Sequence, residues 1–190
     1  MTLPNGVHAW VMSSSKYVQS AVAIVKGYHR KHFPTQQWLQ RAKGPFPVDY
    51  APEIDTTPTL DASQATFYQT QIGVLRCCVE LSQVDIITEV SELASYLAMP
   101  REGHLEAVFH LFANLEKKHN ARIVFDPTYP DIDMTSFKEC NWKHYYGDVV
   151  EAIPPNAPEP RVKNVDLRMF VDSDHAGDKR TRRSRTGFIL

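Results

Sequence analysis

Apolar positions recur at helical intervals over four stretches of this chain and at strand intervals over three short ones, a pattern that predicts a mainly helical protein with small β pieces. In the first stretch Tyr17, Val18, Ala21, Val22, Ile24, Val25 and Tyr28 follow Ser13, Ser14 and Ser15, whose hydroxyls suit an N-cap. The cations of His29-Arg-Lys-His32 close that run where a helix dipole is negative. A second helix is predicted over 64–81, capped by Asp61-Ala-Ser63, with Phe67, Gln71, Val74, Leu75 and Cys78 on one side. A third over 84–98 turns Ile86, Ile87, Val90, Leu93, Ala94 and Leu97 inward and stops before Pro100. The fourth, 101–119, carries Leu105, Val108, Phe109, Phe112 and Leu115 and finishes in Glu116-Lys-Lys-His119. Three successive amphipathic helices with short links predict a small bundle.

Elsewhere prolines and β-branched residues take over. Pro45, Pro47, Pro52 and Pro58 exclude a long regular element and predict an extended surface loop. Arg122-Ile-Val-Phe125, halted by Asp126-Pro127, reads as an edge strand. The span 128–142 is turn-rich, and Pro154, Pro155, Pro158 and Pro160 make a semi-extended linker. Beyond it 165–172 is a strand, and Gly187-Phe-Ile-Leu190 looks like the start of its hairpin partner. A lone two-stranded hairpin is marginal in water, so these last residues read as the opening of a β domain that continues elsewhere. The organisation is therefore α+β in four parts: an N-terminal helix and Pro-rich connection (1–60), a three-helix segment with its edge strand (61–126), a Pro-rich linker region (127–160) and a truncated domain start (161–190).

Composition leaves the class open, with 43% hydrophobic and 23% charged residues typical of globular proteins. No apolar run approaches the roughly 20 residues of a bilayer span, and Met1-Thr-Leu-Pro-Asn-Gly lacks the regions of a secretory signal. Three cysteines without a CxxC pair predict reduced thiols and an intracellular protein, of cytoplasm or nucleus. Charge changes the picture more. Residues 161–190 hold eight Lys or Arg against four Asp, whereas 1–160 hold thirteen against eighteen acidic residues, which points to the C-terminal part as a nucleic-acid surface.

The candidate chemistry lies in the same part. The apolar strand before Asp172 delivers Asp172, Asp174 and Asp178 into a Gly-containing turn, and Lys179, Arg180, Arg182, Arg183 and Arg185 follow. Hard oxygen ligands suit a divalent metal, and a cationic run suits a polyanion. The cations would contact phosphates without reading sequence, or serve as a solvated turn. Other groups have plainer readings. His29 and His32 fit a solvated helix end, His104 and His110 point to different sides of their helix, and Cys140 with His144 supplies two ligands where a zinc site needs four. Trp142, Tyr145 and Tyr146 could stack on bases but read better as buried anchors of a small subdomain. No phosphate-binding Gly loop or dinucleotide fingerprint occurs.

Four motifs occur in order: Tyr68-Gln-Thr-Gln-Ile72-Gly73-Val-Leu75, Asp85-Ile86-Ile-Thr-Glu-Val90, Pro100-x-x-x-His104-x-x-Ala107-Val108 and Asp172-Ser-Asp174-His-Ala-Gly177-Asp178. Together they resemble the pol polyprotein of copia-type LTR retrotransposons, where the end of reverse transcriptase and its connection region lead into the RNase H domain. The resemblance covers nearly the whole chain and is strongest from Tyr68 onward. It implies that 161–190 is the first hairpin of an incomplete RNase H-like domain. It implies that the parent copies RNA into DNA and cleaves the RNA of RNA–DNA hybrids with Mg²⁺. It also implies that Asp172 is the first catalytic metal ligand of that RNase H, with Asp174 a weaker candidate. The YxDD motif and the later acidic residues of the family do not occur in these 190 residues. The remainder of the polyprotein is then an expected partner, a membrane is not, and the chain alone is expected to be inactive. A non-catalytic nucleic-acid-binding remnant and a helical protein-interaction module are the alternatives.

Overall fold

The structure, a computed structural model, describes residues 1–39, 42–128, 141–149, 152, 154–159, 170–173, 177–182, 184 and 186–189. In chain order the elements are β1 (Trp10–Ser13), α1 (Ser15–His32), α2 (Ala62–Leu81), α3 (Ile87–Ala94), α4 (Glu102–Lys118), β2 (Arg122–Phe125), the one-turn α5 (Lys143–Tyr146), β3 (Phe170–Ser173) and β4 (Thr186–Ile189). Single 3-10 turns, Pro52–Ile54 and Val84–Ile86, precede α2 and α3. At the coarse level the protein is mainly helical with two small antiparallel sheets, an α+β arrangement.

The core forms around α4, which is buried on every side from Gly103 to Leu115 apart from Glu106 and His110. A helix apolar all round must be enclosed by others. Here Val18, Ala21, Val22 and Val25 of α1 and Tyr68, Ile72, Leu75 and Cys78 of α2 join Val90 and Leu93 of α3 around Leu105, Val108, Leu111, Phe112 and Leu115. The core is thus continuous across residue 60. The strand that follows α4 also reaches back, since β2 pairs antiparallel with β1 in the register Trp10↔Phe125 to Ser13↔Arg122.

Local chemistry explains where the elements depart from the expected bounds. The start of α2 is capped as expected: Asp61 Oδ1 accepts from the Gln64 N–H at 2.8 Å, and Gln64 Oε1 accepts from the Asp61 N–H at 3.3 Å. Of the serines at the start of α1, Ser13 caps weakly, its Oγ accepting from the Ser15 N–H at 3.4 Å. Ser14 makes no side-chain cap bond; its Oγ meets Ser82 Oγ at 2.9 Å, and Ser15 Oγ meets His119 Nδ1 at 2.8 Å. These hydroxyls join the start of α1 to the ends of α2 and α4. The third predicted helix is shorter than 84–98. Ile86 leaves helical geometry at its front, and after Ala94 the chain tightens into i→i−3 turns at Ser95, Tyr96 and Met99. The Tyr68 hydroxyl donates to the Leu93 carbonyl at 2.7 Å and the Gln69 amide to the Leu97 carbonyl at 2.9 Å, so side chains of α2 satisfy the carbonyls that a longer helix would have used.

Candidate functional site

β3 and β4 pair as an antiparallel hairpin, with Phe170 opposite Ile189 and Asp172 opposite Gly187, while 165–169 of the expected strand and Leu190 lie outside the described residues. The backbone of Asp172 is therefore in the strand, next to its last residue. The Asp172 side chain, Asp174, Arg183 and Arg185 lie outside the described residues. Between the strands Asp178 builds the turn: its Oδ1 accepts from the N–H groups of Arg180 (2.9 Å) and Thr181 (2.6 Å), and its carbonyl accepts from Arg182 N–H at 2.9 Å. An aspartate oxygen that accepts from backbone amides two and three residues on shapes a turn. Arg182 takes a left-handed φ of 58° to close the turn. Lys179, Arg180 and Arg182 are exposed there, and the Lys179 N–H donates to Glu53 Oε1 at 3.1 Å.

Among the described residues no three His, Cys, Asp or Glu converge on a possible cation position. Asp172 alone would supply one carboxylate to an ion that takes six oxygens.

The most organised polar cluster lies elsewhere, at the N-terminus of α4, and sequence reasoning missed it. The Pro-rich connection is docked there and is not a free surface loop. Glu102 N–H donates to the Pro58 carbonyl (3.0 Å) and Gly103 N–H to Thr57 Oγ1 (2.9 Å), so the connection caps the helix in trans. Arg101 reaches back with its guanidinium to the Thr57 carbonyl. Asp55 holds the connection in shape: Oδ1 accepts from Thr57 N–H (2.8 Å) and Thr57 Oγ–H (2.6 Å), and Oδ2 from the Tyr50 hydroxyl (2.9 Å). Burial pushes the Asp55 carboxyl up, but the bonds from Thr57 and Tyr50 outweigh it and hold it below its ordinary value. Gly103 leaves the room for this carboxylate, since a Cβ built there would stand 1.9 Å from Asp55 Oδ2.

Two histidines of α4 fasten the same connection. His104 Nε2 lies 3.1 Å from the Pro52 carbonyl and His110 Nε2 3.0 Å from that of Gly44. They do sit on different sides of the helix, yet one proline-kinked segment wraps both. A signal for His104 was available, because it stands three residues after Arg101, where the acceptor of a capping box belongs.

Three further expectations meet the structure differently. His29 is not a solvated helix end but is buried, 5.0 Å from the ring of Phe109 and 5.3 Å from that of Trp38, while His32 stacks on Tyr28 at 4.2 Å. His29 follows Val18, Val22 and Val25 around the helix, so its position in the buried stripe outranks its polarity. Trp142, Tyr145 and Tyr146 are not buried anchors; they are exposed and lean on one another, with Trp142 6.0 Å from Tyr146, because α5 is a single turn that buries no residue. Cys77 and Cys78 are free thiols, and burial pushes that of Cys78 up to about 12, far from nucleophilic use. Cys140 lies outside the described residues.

Burial lowers His29, His104 and His110 below their ordinary 6.5. A histidine kept neutral by the fold gives stability that is complete above the unfolded value. That stability is lost as pH falls through it toward the lower folded value, because the unfolded chain then binds more protons. Glu89 opposes this, since burial raises its carboxyl and its contribution declines as pH rises above the ordinary 4.5 through the folded value. Urea unfolding followed by circular dichroism should therefore show the midpoint concentration falling between pH 7.5 and 5. A midpoint that stayed level in Glu89→Gln as well, where the opposing carboxyl is gone, would overturn the role of the buried neutral histidines.

No helix among the described residues is long and apolar enough to cross a membrane. Compared with protein families, with curated proteins and with solved structures, the chain matches none.

Proposed function

We propose that this chain is a segment of a copia-type retrotransposon polyprotein, spanning the end of reverse transcriptase, its connection and the first hairpin of RNase H. The parent copies RNA into DNA and cleaves the RNA strand of the resulting hybrid with divalent metal. The single observation that carries the reading is the β3–β4 hairpin: a strand holding Asp172 is followed by a turn with exposed Lys179, Arg180 and Arg182, and then by the antiparallel return strand. In the parent, Asp172 is one of several carboxylates around the metals.

The chain by itself should leave an RNA–DNA hybrid uncut in Mg²⁺. Cleavage that disappears in Asp172→Asn would show that the remaining ligands come from this segment after all. The flanking coding sequence tests the assignment directly: a YxDD motif upstream and further acidic strands downstream support it, and unrelated frames on both sides refute it.

A binding remnant is the second reading, favoured by the three exposed cations, whose side chains no carboxylate pairs with among the described residues. Affinity for an RNA–DNA hybrid should then fall steeply with salt, and replacing Lys179, Arg180 and Arg182 by Gln should flatten the log–log slope by about 0.9 for each phosphate that is no longer neutralised. An unchanged slope would remove this reading.

A further inference from the structure

Hydrogen-bond directions around His104 fix its tautomer. Its Nδ1 faces the backbone N–H of Arg101 at 3.1 Å, and that N–H can only donate, so Nδ1 carries a lone pair. The ring proton is then on Nε2, where it donates to the Pro52 carbonyl at 3.1 Å. One neutral imidazole thus satisfies an orphan amide at the start of α4 and a carbonyl of the connection together. It is 1% exposed, so water cannot replace either partner without movement.

We infer that His104 is an acid-operated latch: a second ring proton sets donor against donor at Arg101 and releases the Pro52 carbonyl, loosening the connection at its Pro52 turn while the bonds at Pro58, Thr57 and Gly44 still hold it to α4. The added proton on Nδ1 points at the Arg101 N–H across a hydrogen-bonding distance, and the new charge sits at a helix N-terminus, where the dipole opposes a cation. The ring must turn or withdraw to relieve both. The groups facing it divide in their effect. Burial disfavours the charged ring most; from the connection the Pro52 carbonyl and then Asp55 favour it, while Arg101 at the N-cap disfavours it. The Tyr96 ring, 4.3 Å away after α3, and the Tyr68 ring, 6.4 Å away on α2, supply apolar surface and no compensating charge. His110 cannot act in the same way. Its bond to the Gly44 carbonyl is through Nε2, and a proton added at Nδ1 leaves that bond intact.

Nuclear magnetic resonance on the full chain, labelled with ¹⁵N and ¹³C, tests this. At pH 8 the His104 imidazole should show protonated Nε2 and bare Nδ1, and the contact between its ring and Pro52 should be visible. On acidification, the ring should take its second proton at a midpoint below 6.5, and the Pro52 contact and the Arg101 amide shift should change with that same midpoint. The step should survive in His110→Gln and vanish in His104→Gln, whose amide can reach the carbonyl but does not titrate. A proton on Nδ1 at pH 8, or a Pro52 contact that persists once the ring is doubly protonated, overturns the latch. Both of these readouts come from the unmutated protein, so the proposal stays decidable even if His104→Gln fails to fold.

Discussion

Phe112→Ala should cost about 4 kcal/mol of folding free energy, the range expected when a fully buried aromatic ring is deleted and the space cannot collapse. Phe112 is 0% exposed on α4, against which α1 and α2 pack, with Leu111 and Leu115 beside it and Tyr68 and Leu105 in the same cluster. Those neighbours belong to elements with their own fixed contacts, so little relaxation is open to them. Chemical unfolding of the wild type and the variant gives the difference directly. A loss below about 1 kcal/mol would mean that the centre of the protein is not packed around α4.

Gly103→Ala should cost about 3 kcal/mol, at the upper end of what overpacking a tight site does. On helix propensity alone the change should be favourable by up to about 1 kcal/mol, because Gly103 lies in the first turn of α4. The geometry reverses that sign. The new methyl would occupy the position of Asp55 Oδ2, and moving that carboxylate breaks its bonds from Thr57 and Tyr50. A double-mutant cycle isolates the cause. With Asp55→Ala in place the methyl has room, so the second substitution should be neutral or stabilising, and the coupling between the two sites should exceed about 2 kcal/mol. Additive effects would show that the clash is not what makes glycine necessary.

Helix positions were the most legible part of this fold, because three and a half turns or more of period-3.6 pattern leave little ambiguity. The faces were less so. In α2 the pattern admits Phe67 and Val74 as readily as Tyr68 and Ile72, and the latter pair is the buried one. What decides is the partner: the Tyr68 hydroxyl needs the Leu93 carbonyl, and no periodicity encodes that. In α3, Ile87 was expected inside and is exposed, since it lies at the edge of the stripe that Ile86, Val90 and Leu93 bury. β1 escaped notice for a different reason. Four residues are too few to show alternation, and their pairing partner lies beyond all four long helices.

For the candidate site, the strand that holds Asp172, its return strand and the turn over 178–182 were readable, because β-branched residues, Gly177 and a charge run are local signals. Whether other chain segments bring groups to Asp172 is not a local property and could not be read. The docking of the connection shows the same limit. Prolines correctly forbade regular structure over 44–58, but whether an irregular segment floats or is fastened depends on side chains far along the chain, here Arg101, His104 and His110.

The two ends of α4 are tied down by unlike means. Thr57, Pro58 and Pro52 grip its beginning, while the Gln83 amide donates to the carbonyl of His119, just past its end, at 3.1 Å and Ser15 engages the His119 ring. Fraying, the ordinary way in which a helix loosens from its tips, is thereby closed off at both poles. The amide protons in the middle of this rod can then meet solvent only when the whole surrounding assembly comes apart, so the helical part of the protein should melt as a unit, with no half-open state in which some helices survive the loss of the others.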